Sequence, residues 1–222
     1  MSEKEAVIQT DEVQNGPEEA IGEAEAKQKM ALAELKESIV VEKGFDLRFP
    51  KEVEIAAEQV KKEKYPISAE ELSKRRDIRD IPTFTIDPAD AKDFDDALSF
   101  RTIGDNLYEV GIHIADVSYY VTDGSAIDAE ARKRGTSIYL VDRTVPMLPP
   151  ILSNDLCSLN PNEDKCSFSV IVEITGEGNV LKRWFGKTVM NSDKRFSYEE
   201  AQEVLEKGGI FESFPLLSPD FL

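Results

Sequence analysis

Residues 83–98 read TFTIDPADAKDFDDAL, and this stretch decides how the rest of the chain is understood. TFTID has the β-branched and aromatic composition of a strand. The carboxylates of Asp87, Asp90, Asp93, Asp95 and Asp96 then fall within ten residues, with Lys92 as the single base among them. At about 5 Å and an effective dielectric of about 20, each like-charge pair costs on the order of 3 kcal/mol. A bound cation offsets that cost. Mg2+ combines a few carboxylates with waters and a substrate phosphate, polarises the phosphoryl oxygen and lowers the pKa of a bound water. A calcium loop of EF-hand type needs Gly at its sixth position and Glu at its twelfth; counted from Asp87 these are Lys92 and Leu98. A solvated acidic turn is the competing reading, against which Ile86, Phe94, Ala97 and Leu98 set core-type residues between the acids. Carboxylates alone suit phosphatases, nucleases and polymerases, so the loop does not fix the reaction.

Downstream of this loop, ALSFRTI (97–103) and LYEVGIHIA (107–115) have strand composition, and Gly104-Asp105-Asn106 between them reads as a hairpin turn. VSYYV (117–121) and TSIYLV (136–141) read as further strands, and residues 126–134 as a helix. The Pro- and Asn-rich run 145–165 predicts no regular element. CSFSVIVEIT, GEGN and VLKRWFGKTVM (166–190) predict a second hairpin, with Phe168, Val170 and Val172 on one strand face. Ser197 and Glu200 form a capping box for a helix that Gly208-Gly209 should end. Upstream, residues 18–41 have the Ala/Glu/Lys/Leu composition of a solvated helix, and EVEIAAEQVKKEK repeats a helical period with Val53, Ala56, Ala57 and Val60 on one side. Ser68 and Glu71 make another capping box, and residues 1–17 read as disordered. The fold class is α+β, a mixed or antiparallel sheet with flanking helices, preceded by a helical, partly disordered N-terminal segment.

The 222 residues carry 27 Lys+Arg against 44 Asp+Glu, a formal charge of −17 with 41% hydrophobic content. That content excludes a wholly disordered chain, while the charge argues against polyanion binding. The charge is uneven, however. Residues 1–50 hold 12 acids and 6 bases, residues 51–80 hold 8 of each, and residues 81–100 hold 5 acids and 1 base. No stretch has the roughly 20 apolar residues that cross a bilayer, so no membrane association and a cytoplasmic location are expected. Cys157 and Cys166, with no CxxC spacing, read as buried reduced thiols. The alternation of Val110, Ile112 and Ile114 sets His113, the single histidine, on the opposite strand face, as a structural rather than catalytic residue. The basic runs Arg132-Lys133-Arg134, Lys182-Arg183 and Lys194-Arg195 are weak candidates for contacts to a polyanion, each explained by solvation.

Four ordered blocks carry a resemblance: RRDIRDIPTFTIDPADAKDFDDAL (75–98), VGIHIADVSYYV (110–121), RGTSIYLVDRTVPMLPPILSNDLCSLNP (134–161) and KRFSYEEAQEVL (194–205). Together they resemble the RNB catalytic domain of the ribonuclease II and ribonuclease R exoribonucleases, nearer to bacterial ribonuclease R, over about residues 45–207. The resemblance implies 3′-to-5′ hydrolysis of single-stranded RNA to nucleoside 5′-monophosphates with Mg2+, for which Mn2+ substitutes. It implies that Asp87, Asp93, Asp95 and Asp96 hold the ions, orient the attacking water and bind the scissile phosphate. Asp90 sits where the family pattern requires nothing. Tyr139 matches a tyrosine that stacks on 3′-terminal bases, and Tyr198 one near the leaving nucleotide; without the resemblance they read as a strand aromatic and a first-turn helix residue.

The implied organisation is an acidic N-terminal segment (1–44), a helical lead-in (45–80), the N-terminal part of the catalytic domain (81–207) and a divergent tail (208–222). The family's catalytic domain is longer and flanked by RNA-binding barrels, so the chain reads as truncated or split, with a second polypeptide carrying the remainder as an implied partner. A catalytically inactive RNA- or metal-binding fragment is the alternative.

Overall fold

The computed structural model describes residues 17–140 and 143–206, with side chains from Lys27 onward apart from Ala33. The disorder read for residues 1–17 falls almost wholly outside that range, and the glycine stop at 208–209 and the tail do so entirely. Backbone contacts divide the chain at Arg48/Phe49 into two units. The first holds α1 (Pro17–Glu42), the long helix read from composition.

The second unit begins with α2 (Lys51–Lys64), which buries Val53 and Ala57 and packs Ala56 and Val60 beside them, the four positions its periodicity selected. In α3 (Ala69–Ser73) the Ser68 hydroxyl accepts from the Glu71 amide at 3.1 Å, closing the expected cap. The strands are β1 (Arg76–Asp77), β2 (Thr83–Asp87), β3 (Asp96–Gly104) and β4 (Leu107–Ala115). The short α4 (Val117–Tyr120) and α5 (Ala126–Arg134) follow, then β5 (Ile138–Tyr139), β6 (Thr144–Val145), β7 (Asp164–Thr175), β8 (Val180–Asn191), β9 (Lys194–Ser197) and α6 (Tyr198–Glu206). Seven strands form one mixed sheet in the order β1-β8-β7-β4-β3-β2-β9. The outer pairs β1–β8 and β2–β9 are parallel and the inner ones antiparallel, while β5 and β6 pair separately. Both expected hairpins, β3–β4 and β7–β8, are present.

One sheet face packs on α2, α4, α5 and the 148–159 segment through a core that includes Ile78, Phe94, Tyr120, Ile127, Leu152 and Met190. The sheet residues on that face are largely polar, since Ser99, His113, Ser167, Ser169 and Thr188 are all buried. The opposite face carries the apolar alternation: Ile112 and Ile114 pair with Val170 and Phe168, and Phe168 and Phe185 remain 48% and 60% exposed. Period-2 alternation thus identified the two faces of β4 and β7, and burial falls on the one with the small hydroxyls.

Hydrogen bonding makes that burial tolerable. His113 engages Ser169 Oγ through Nδ1 at 2.7 Å and Ser99 Oγ through Nε2 at 2.8 Å, and the Ser167 and Ser169 hydroxyls reach Thr188 at 2.6 and 2.5 Å. Beside this strip lies Gly111, where an added Cβ would stand 2.3 Å from Ser99 Oγ and 2.6 Å from the His113 ring. Gly111→Ala is therefore expected to cost about 1–3 kcal/mol through overpacking, read as a lower urea midpoint with unchanged slope.

Burial pushes the His113 pKa down to about 4 from 6.5. Below pH 6.5 the unfolded chain takes up a proton that the native ring refuses. Stability present above pH 6.5 is therefore lost as pH falls toward 4, on the order of 3 kcal/mol in all. Urea midpoints at pH 7.5 and 4.5 should show the wild-type advantage over His113→Gln shrinking at the lower pH.

Three local expectations are corrected. VSYYV forms α4 rather than a strand: the Asp116 amide bonds to Cys166 O, and Asp116 O then accepts from Tyr119 N, turning the chain out of the ladder. Burial of the Tyr120 ring, with Tyr119 edge-on at 4.8 Å, outweighs β propensity. Among the described residues of TSIYLV, the strand is Ile138–Tyr139. The 145–165 run does contain regular structure, a π-helical turn at Leu152–Leu156 closed by Cys157 N to Leu152 O at 2.8 Å, because turning there buries both leucines.

Candidate metal and RNA site

The acidic loop joins β2 to β3, so its ends are fixed by the sheet. Asp87 closes β2 on the buried face, two residues from the buried Thr85. Asp96 opens β3 opposite Ile114 on the exposed face. Between them Phe94 is buried, its amide donating to Ser158 Oγ at 3.0 Å and its carbonyl accepting from Leu159 N at 2.9 Å. Anchoring Phe94 in the core holds Asp93 and Asp95 on either side of it at the surface. The sequence signal of core residues between acids thus has a direct structural counterpart.

A groove of about 780 Å³ borders the loop, lined among others by Asp87, Asp93, Lys92, Tyr139, Arg143 and Asn154. Tyr139, on β5, is 66% exposed, and its hydroxyl donates to Asp93 Oδ2 at 2.9 Å. That bond, then burial, raises the Tyr139 pKa. Tyr198 opens α6 and is also exposed. Its neighbour Ser197 pairs with Asp87 in the parallel β2–β9 ladder, which sets Tyr198 just past the strand end that carries Asp87. The capping box is reciprocal: Ser197 N donates to Glu200 Oε2 at 2.8 Å and Glu200 N to Ser197 Oγ at 3.1 Å.

The carboxylates repel one another. Burial, then the charges of Asp93, Asp96 and Asp87, raise the Asp95 pKa, although its side chain keeps solvent access. Burial also raises that of Asp87; Asp96 and Asp93 add to the rise, and Arg195 opposes it. Yet neither Thr85 Oγ1 nor Asp87 Oδ2, both buried, reaches hydrogen-bonding geometry with any group. Among the described residues no three acidic, histidine or cysteine side chains converge at metal-holding geometry. The structure therefore gathers the four aspartates into one loop and couples them electrostatically, without closing a three-carboxylate cage. Mg2+ does not require such a cage, since one or two carboxylates suffice alongside water and phosphate. An orphaned buried carboxylate oxygen and an acid opposed by like charges fit that donor set.

The RNB domain pattern matches residues 75–213, which is most of the chain. The chain belongs to the RNB-domain family. It is 48% identical over 170 residues to a DIS3-like exonuclease 2 of Xenopus tropicalis, a match covering 76% of this chain and 20% of that protein. It is 44% identical over 142 residues to a protein of Arabidopsis thaliana named an inactive exonuclease DIS3L2, covering 64% of this chain and 14% of the relative. The structure of Mycoplasma genitalium RNase R in complex with ribose-methylated single-stranded RNA superposes with a TM-score of 0.69 at 29% identity, over 79% of this chain and 27% of that one. This RNB-family chain thus spans about a fifth of the length of the Xenopus relative.

His113, buried and hydrogen-bonded to Ser169 and Ser99, has the structural setting its strand face indicated, and the structure also shows what the sequence did not. Arg195 is no free basic residue: its Nη2 donates to Pro88 O at 2.8 Å and to Ala89 O at 2.7 Å. Arg132 pairs with Asp123 and Asp128, Arg134 with Glu130, and Lys182 with Glu173, so ion pairs account for much of the other two basic runs. The Lys194-Arg195 dipeptide in sequence gave no signal of a loop clamp. Only the parallel pairing of Thr85 with Arg195 reveals it.

Proposed function

We propose that this chain carries the divalent-metal site of an exoribonuclease that hydrolyses single-stranded RNA from its 3′ end, releasing nucleoside 5′-monophosphates with Mg2+ or Mn2+. The observation that supports it best is an RNB domain whose acidic loop couples Asp87, Asp93, Asp95 and Asp96 electrostatically while Asp87 Oδ2 lies buried with no partner. When bound, the metal polarises the scissile phosphate and activates a water. Asp87, Asp93, Asp95 and Asp96 are the side chains that would hold the ion. The exposed Tyr139 ring stacks on a terminal base, a contact that tolerates any sequence, while its hydroxyl orients Asp93. Tyr198, beside the Asp87 strand end, contacts the departing nucleotide. The unpaired, buried thiols of Cys157 and Cys166, pushed up by burial to about 12 and about 11, suit a reducing cytoplasmic setting.

A second reading, an inactive RNA- or metal-binding fragment, is favoured by the similar relative named inactive. Incubation with 5′-labelled single-stranded RNA separates the two. The first reading expects loss of full-length RNA to short labelled ends plus 5′-mononucleotides with Mg2+, abolished by EDTA. Metal-independent decay, or internal cuts, would contradict it, and RNA binding without decay would support the second.

A further inference from the structure

The loop that carries the acids is held from one side by a single guanidinium. Arg195 rises from β9 opposite Thr85 and bonds the carbonyls of Pro88 and Ala89, the two residues that follow Asp87, at 2.8 and 2.7 Å. Its guanidinium also lies over the Phe94 ring, 5.0 Å from the centroid, so it spans the loop from its first residues to its buried anchor. Three buried polar atoms with no hydrogen-bond partner belong to this same β2–β9 pair: Arg195 Nε, Thr85 Oγ1 and Asp87 Oδ2. Removing the guanidinium takes away the Arg195 bond to Ala89 O and leaves Pro88 O only the Ala91 amide at 3.0 Å, beside mutually repelling carboxylates, so this end of the loop loses its hold on β9.

We propose that Arg195 is the positioning residue of the acidic loop, clamping the Pro88 and Ala89 carbonyls so that Asp87 and Asp95 are presented together to a divalent cation. The inference rests on the metal-site reading above and adds to it a residue outside the acidic motif. Positioning and simple electrostatics make opposite predictions. Arginine is a positive charge beside a cation site, so its loss, by charge alone, should tighten metal binding. Loss of the clamp should instead weaken it, by the 10- to 100-fold typical of groups that orient metal ligands.

The test is a Mn2+ titration of the 222-residue chain followed by electron paramagnetic resonance of the free ion, on wild type, Asp95→Asn, Arg195→Met and Arg195→Lys. The proposal expects Arg195→Met to bind Mn2+ at least about tenfold more weakly than wild type. Arg195→Lys, which keeps the charge but reaches fewer carbonyls, should fall between them. Wild-type or tighter affinity in Arg195→Met overturns it, as does a lowered unfolding midpoint with unchanged Mn2+ affinity, the signature of a merely structural role. Should Arg195→Met fail to fold, Arg195→Lys decides: affinity equal to wild type overturns the clamp. If Asp95→Asn binds as wild type does, or wild type binds no Mn2+, the metal-site reading itself fails and the clamp falls with it. Loss in Asp95→Asn with none in Arg195→Met or Arg195→Lys sinks the clamp alone.

Discussion

Arg75→Met should lower stability by about 3–5 kcal/mol, the usual consequence of stranding a buried charge. The Arg75 side chain is fully buried; Nη2 donates to Asp116 Oδ2 at 2.7 Å, and Nε and Nη2 reach Glu71 Oε1 at 2.8 and 2.7 Å. Nη1 points at the carbonyls of Ser167 and Thr188, and the guanidinium faces the Tyr119 ring at 5.1 Å. One side chain therefore joins α3 to β7, β8, α4 and Asp116, the residue between β4 and α4. Asp116 is only 3% exposed, and its remaining cation is Lys187 at 3.6 Å. Burial works to raise the Asp116 pKa, but the Ser118 hydroxyl and Arg75 outweigh it and hold the group below its ordinary value. With arginine gone, burial prevails. Urea unfolding checks the magnitude, and the double variant Arg75→Met/Asp116→Asn should recover part of the loss, because the stranded charge is then also removed.

Asp95→Asn should reduce Mg2+-dependent RNA hydrolysis roughly a thousandfold, the equivalent of about 4 kcal/mol of barrier, with little change in stability. Asp95 keeps some solvent access, and burial first, then the charges of Asp93, Asp96 and Asp87, work against its ionised form, so neutralising it relieves both in the metal-free protein. The expected pattern is an equal or higher unfolding midpoint with loss of metal-dependent decay. A structural aspartate would show the reverse, and single-turnover rates beside thermal melts distinguish the two.

How much of this was legible in the sequence differs by feature. Strands β2, β3, β4, β7 and β8, both hairpins, the α2 burial stripe and the capping boxes followed from local chemistry, because period, turn residues and caps act within a few positions. Four acids interleaved with Phe94, Ala97 and Leu98 announced a loop tied to the core, and it is tied there through Phe94. The periodic apolar strand faces did not announce which side is buried. Ser99, His113, Ser169 and Thr188 satisfy one another only across four different strands, which no local pattern encodes. The same holds for α4, where burial of Tyr120 overrides propensity, and for Arg195, whose loop partners lie more than a hundred residues away. Short-range rules located the candidate acids. Long-range pairing determined what holds them.

The central claim is that the 87–96 loop is a divalent-cation site, and anomalous diffraction from crystals soaked in Mn2+ tests it most directly. The account predicts a peak at metal–oxygen distance, about 2.1 Å, from the carboxylates of Asp87 and Asp95 and none in crystals of Asp95→Asn. No peak at this loop under saturating Mn2+, or the same peak retained in Asp95→Asn, would contradict it.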